Sequence, residues 1–140
     1  MTTYMKVVIC ALLGIPVPIA YILGGEPVQN IKWIPPMGWI TVGGLAVVLY
    51  CAIVQFCFAR KGHGLAANWP TLVAMLLSLP VPLVFLTLIV GTLHPDNNYI
   101  RHHILTNGLP MLISGYLGSF LGVVLAARVK RPADANTAQG

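Results

Sequence analysis

His94, Asp96, His102 and His103 fall within ten residues and form the densest group of potential metal ligands in the chain. Neutral imidazole binds zinc and copper well. The spacing matches no standard metal pattern, however, and adjacent residues such as His102 and His103 point in different directions on a helix or a strand. With Tyr99 and Arg101 between them, these residues read as a solvated external loop that offers a polar surface to a partner. The thiols Cys10, Cys51 and Cys57 lie in apolar stretches and include no Cys-x-x-Cys pair. Redox and metal sites need closer, paired thiols, so these three are expected to be buried packing residues. Neither a metal nor a cofactor is expected.

The apolar segments themselves exclude further chemistries. No Asp, Glu, Lys, Arg or His lies deep within any of them, whereas proton-coupled transporters and pumps place such a group in the membrane interior. Small multidrug exporters are similar in having four short spans, but they depend on a glutamate in the first helix, and the first apolar segment here has none. Four-span disulfide enzymes use paired cysteines, also missing. A hydrolase or transferase would show a nucleophile with its base, or a metal cluster. The expectation is a protein without catalysis.

The elements that carry these residues follow from composition. The chain has 140 residues, 57% of them hydrophobic and 8% charged, with a mean hydropathy of +0.83. Soluble domains run near 25% charged. A bilayer crossing takes about 20 helical residues, so four crossings occupy about 80. The expected fold is therefore an all-α membrane protein of four transmembrane helices in one domain, residues 1–131, with spans at about 6–23, 37–59, 70–93 and 109–127. Gly24 to Pro36 are read as the first connection, and the small, polar residues 132–140 as a disordered cytoplasmic tail. The first span is interrupted by prolines and has no Ala-x-Ala-like site before Gly24-Gly25, so it is read as retained rather than cleaved as a signal.

Spans one and three share a signature. Pro16-Val17-Pro18 and Pro80-Val81-Pro82 lie 64 residues apart, the size of one helical hairpin. The chain thus reads as a parallel duplication of a two-helix unit. The first and third helices are expected to be kinked at Pro16 and Pro18, and at Pro80 and Pro82, because each proline removes a backbone donor. The freed carbonyls near Leu12 and Gly14 need partners in lipid. Ser78 can help locally in the second copy, whereas Gly14 cannot. The pairs could serve as a hinge, could flank a wet cavity between helices one and three, or could be static kinks. On the fourth span, Ser114, Gly118, Gly122 and Ala126 recur every four residues, a small-residue ladder of the kind that lets helix backbones approach in lipid. Its partner could be a helix of the same chain or of another subunit.

Charge orients the bundle. Lys6, Arg60, Lys61, Arg128, Lys130 and Arg131 lie on one side, and only Lys32 and Arg101 on the other. Cations concentrate on the cytoplasmic side, which places both termini there in a bacterial inner membrane. The net charge of +5 is carried at segment ends, without the clustered cations that nucleic-acid binding requires, so no nucleic-acid partner is expected. Besides the bilayer, the expected partner is another membrane protein or a second copy, as for an accessory subunit, an immunity protein or an exclusion protein. An oligomeric channel or facilitator for a small solute is the alternative, lined by Tyr21, Gln55, Ser78, Thr87 and Tyr116.

Overall fold

The computed structural model describes residues 2–29, 36–93 and 98–129. They form six helices and, among the described residues, no strand: α1 Thr3–Gly14, α2 Pro16–Gln29, α3 Pro36–Phe58, α4 Leu65–Ser78, α5 Pro80–Leu93 and α6 Asn98–Arg128. Single residues, Ile15 and Leu79, separate α1 from α2 and α4 from α5. Both keep right-handed helical dihedrals, at φ −58°, ψ −45° and φ −67°, ψ −47°. Each stands directly before a proline, whose ring disfavours that region for its predecessor. The helical hydrogen bonding is interrupted where the first proline of each pair enters.

Three stretches are long and apolar enough to cross a membrane: Thr3–Ile22, Leu65–Leu93 and Gly108–Arg128. The apolar part of α3, Val42–Phe58, is shorter. The outward faces settle the solvent. Leu12, Leu49, Ile53, Leu77, Phe85, Leu88 and Leu117 are each 61–63% exposed, an apolar outer surface suited to lipid. This is a membrane protein, with leucines directed at hydrocarbon.

Several element boundaries differ from the sequence reading. Helix α2 continues through Gly24, Gly25, Glu26 and Pro27, where a connection was expected. Helix α4 starts at Leu65, five residues before the proline expected to open the span, and carries Pro70 inside it. The largest difference is in α6. Residues 98–108 were expected to form a loop, yet they build the first three turns of a helix of 31 residues that runs through Pro110. A proline in a helix interior costs one backbone hydrogen bond, and here the turns on both sides of it are retained. Residues 30–35, 94–97 and 130–140, which include Lys32, His94, Asp96 and the expected tail, lie outside the described residues.

The core is packed where α1, α3, α4 and α6 meet. Cys10, Cys51, Met75, Leu79 and Met111 are wholly buried. Cys57, expected to be a third packing thiol, is instead exposed on α3. The tightest contact is between α3 and α6. A Cβ added at Gly118 would strike the Val48 carbonyl oxygen and lie 2.8 Å from the Val48 Cα. One at Gly122 would strike the Ala52 carbonyl oxygen and lie 2.7 Å from the Gln55 Cβ, and one at Gly44 would lie 3.0 Å from the Ser114 Oγ. Position numbers rise together in these pairs (44 with 114, 48 with 118, 52 with 122), so α3 and α6 run parallel. The ladder Ser114, Gly118, Gly122 and Ala126 therefore faces a helix of its own chain. Close approach of this kind replaces lipid contact by dispersion between backbones.

Candidate functional site

The proline pairs divide their work in the same way in both halves. Pro18 and Pro82 are buried in the bundle, while Pro16 and Pro80 each line an apolar groove. The first groove, of about 390 Å³, runs between α2 and α3, with Pro16, Val17, Ala20 and Tyr21 on one wall and Gly43, Ala46, Val47 and Tyr50 on the other. The second, of about 280 Å³, runs between α5 and α6, with Pro80, Leu83, Val84, Thr87 and Leu88 facing Gly108, Leu109 and Leu112. Pro16 and Pro80 are 64 residues apart, as are Ala20 and Val84. Small residues open the far wall in each case, Gly43 and Ala46 in one and Gly108 in the other.

The polar groups near the helix breaks are occupied locally. Tyr50 donates its hydroxyl to the Leu13 carbonyl at 2.8 Å, which ties α3 to the last turn of α1. In the second half, Ser78 donates to the Met75 carbonyl at 2.9 Å. Between the breaks, Gly14 packs against Ser78 and Met75, with a Cβ at position 14 lying 2.9 Å from the Met75 Sδ. Met75 and Leu79 are 0% exposed. The meeting point of α1 and α4 is filled by side chains, which leaves no wet cavity at that point, one of the three alternatives for the proline pairs. The grooves lie instead between α2 and α3 and between α5 and α6.

The residues expected to line a solute path do not share a cavity. Tyr21 belongs to the first groove and Thr87 to the second, where Thr87 donates to the Leu83 carbonyl at 2.8 Å. Gln55 is wholly buried and donates to the Thr71 carbonyl at 3.0 Å. Ser119, also wholly buried, donates to the Gly115 carbonyl at 2.7 Å. Tyr116 is half-buried beside the core.

Asn68 is a polar position that the sequence reading passed over. It is 3% exposed and holds together the loop joining α3 to α4. Its Oδ1 accepts from the Arg60 amide at 2.6 Å. Its Nδ2 reaches the carbonyls of His63 and Gly64, both at 3.1 Å, and of Arg60 at 3.4 Å. Gly62 turns this loop with φ 72°, a left-handed conformation that costs glycine little, and donates its amide to the Ala126 carbonyl at 2.9 Å. An asparagine at the head of an apolar stretch was the available signal. The expected span begins two residues after it.

The histidine-rich group is no longer a loop. Tyr99, Arg101, His102 and His103 lie on the opening turns of α6, with His102 exposed. The side chains of Tyr99, Arg101 and His103 lie outside the described residues, as do His94 and Asp96. Among the described residues, no three His, Cys, Asp or Glu side chains gather as metal ligands would. No protein-family model, curated protein or solved structure matches the chain.

Proposed function

We propose that this protein acts without catalysis, as a four-span bundle of the bacterial cytoplasmic membrane that binds another membrane protein or a second copy of itself. The observation that carries this reading is the pair of apolar grooves between α2 and α3 and between α5 and α6, beside a filled interior. Such grooves accept the apolar face of a partner helix, and the roles of accessory subunit, immunity protein and exclusion protein all use such contacts. Because the α6 ladder is turned toward α3, a partner would use these grooves. The fourth crossing is supplied by α3, whose 23 residues extend about 34 Å at 1.5 Å each, against a hydrocarbon core of about 30 Å. The two hairpins are proposed as parallel copies of one unit bent at the proline pairs. Support comes from the common spacing of 64 and from the contact between the equivalent positions Gly14 and Ser78.

The test is a comparison of flux with capture. The purified protein in liposomes is expected to give no solute or ion flux above empty vesicles, and to recover one defined partner, or itself, from gently solubilised membranes. Ala20→Trp and Val84→Trp, which fill the grooves, are expected to abolish that recovery while leaving the fold intact. A flux that changes in Pro16→Ala and Pro80→Ala, with no partner recovered, would establish the channel reading instead.

Orientation has its own measurement. Reporter fusions within residues 59–64 and after Arg131 are expected to report the cytoplasm, and fusions near Gln29 and Asn97 the outside. A reporter after Arg131 that reads outside would overturn both the span number and the assignment from cations.

A further inference from the structure

Four cations gather at the end of the bundle that holds the start of α1, the α3–α4 loop and the end of α6: Lys6, Arg60, Lys61 and Arg128. The Gly62–Ala126 hydrogen bond fastens the loop to α6, and the Asn68 network fixes the backbone of Arg60 and of the residues around Lys61. Carboxylates to answer these charges are missing among the described residues at this end. The chain has three. Asp96 and Asp134 lie outside the described residues, and Glu26 is 20 residues beyond Lys6, about 30 Å along the helix line.

Lys61 is the most unusual of the four. Its Nζ is covered, yet no oxygen accepts from it. Its partner is the Phe56 ring, with Nζ 3.4 Å from the centroid, a cation–π contact that supplies attraction but no counter-charge. Burial lowers the pKa of this ammonium, the Cys57 thiol opposes that shift, and the nearby Lys6 charge adds to it. A covered ammonium that faces only a ring is suited to an anion, and Lys6 stands at the same end of the bundle.

We propose that this end of the bundle binds one anionic phospholipid, its phosphate held between the Lys6 and Lys61 ammonium groups and its acyl chains laid against exposed α1 residues such as Val8 and Leu12. A lipid is favoured over a free anion because the cations stand at the ends of membrane-crossing helices, at the depth of the headgroups. The Lys61 stem is flexible, and rotation off the Phe56 ring carries its ammonium to the phosphate. Arg60 and Arg128, both exposed, add to the field that attracts the lipid. This inference rests on the membrane placement of the bundle and not on the protein partner proposed above.

The experiment uses native mass spectrometry of the full chain in mild detergent, titrated with phosphatidylglycerol, with phosphatidylcholine, and with inorganic phosphate as competitor. One phosphatidylglycerol is expected to be retained per chain. Lys61→Gln and Lys6→Gln are each expected to raise its dissociation constant about fivefold, the usual worth of one cation at an anionic surface. Lys32→Gln, between α2 and α3 in the sequence, is expected to leave it unchanged. Unchanged binding in both glutamine variants, equal retention of phosphatidylcholine, or displacement by inorganic phosphate at the same concentration would each overturn the proposal. Should Lys61→Gln fail to fold, Lys6→Gln carries the test alone.

Discussion

Gly118→Leu is expected to destabilise the bundle by at least about 3 kcal/mol, the upper end of the usual overpacking range, and Gly122→Leu by a similar amount. The reason lies in what a side chain would meet. At Gly118 the obstacle is the Val48 backbone, and at Gly122 it is the Ala52 carbonyl together with the Gln55 Cβ. Backbone inside a packed helix pair cannot swing aside as a side chain can, so the two helices must separate and lose dispersion contacts along their whole length. Gly44→Ala provides the contrast, because its Cβ would meet only the Ser114 hydroxyl, at 3.0 Å. A short rotamer change accommodates it, at a cost of well under about 1 kcal/mol for a substitution without a buried clash. Leu117→Phe, at a position 61% exposed to lipid, is expected to be neutral. Unfolding midpoints in mild detergent rank the four variants. If Gly118→Leu and Leu117→Phe behave alike, the backbone contact between α3 and α6 has no energetic importance.

The ladder also shows where a sequence can be read and where it cannot. Gly118 and Gly122 stand out because glycines four apart on an apolar helix have few purposes other than close approach, but the sequence alone left open which helix would meet them. The contact with Val48 and Ala52 depends on the rotation of α3, and α3 is apolar on all sides, so no periodic stripe announces its buried face. Cys57 and Val123 fall in the same gap. Both lie in uniformly apolar stretches of their helices, yet Cys57 is exposed and Val123 is 0% exposed. In a soluble protein the polar face would separate the two cases, whereas in lipid both environments are hydrocarbon. Helix existence was legible from apolar length, and the interruptions at Ile15 and Leu79 fall beside the prolines that mark them. The opening turns of α6 were not legible. Asn98, Asn107 and Gly108 are punctuation that usually signals a loop, and the helix runs through them regardless.

Asn68 was hidden by the same ambiguity and carries the other large expected effect. One side chain here accepts from the Arg60 amide and reaches three carbonyls of the six-residue loop 59–64. A buried polar group that loses its partner costs about 1–3 kcal/mol. Asn68→Leu leaves the Arg60 amide and the His63 carbonyl without these bonds, while the Arg60 and Gly64 carbonyls keep the His63 and Ala67 amides, so a loss of about 3 kcal/mol is expected. The loss should be local. The α3–α6 contact does not involve Asn68, whereas the loop depends on it and carries the tryptic pair Arg60-Lys61. Limited trypsin digestion of the full chain is therefore the sensitive measurement. When opening is rapid, cleavage follows the population of the open loop, and each 1.4 kcal/mol raises that population about tenfold. The wild-type loop is expected to resist cleavage, and Asn68→Leu to be cut at least about tenfold faster. Asn68→Asp distinguishes a lost network from mere repacking. It is nearly isosteric and retains the oxygen that accepts from the Arg60 amide, but it has no donors for the three carbonyls and sets a negative charge against them. It should therefore be cut at a rate close to that of Asn68→Leu, despite its shape. Trp69→Phe, at the adjacent exposed position (59%), should remain as resistant as wild type. Equal resistance in all four proteins would mean that the loop is held by its backbone bonds, and that the hydrogen bonds of Asn68 are incidental to it.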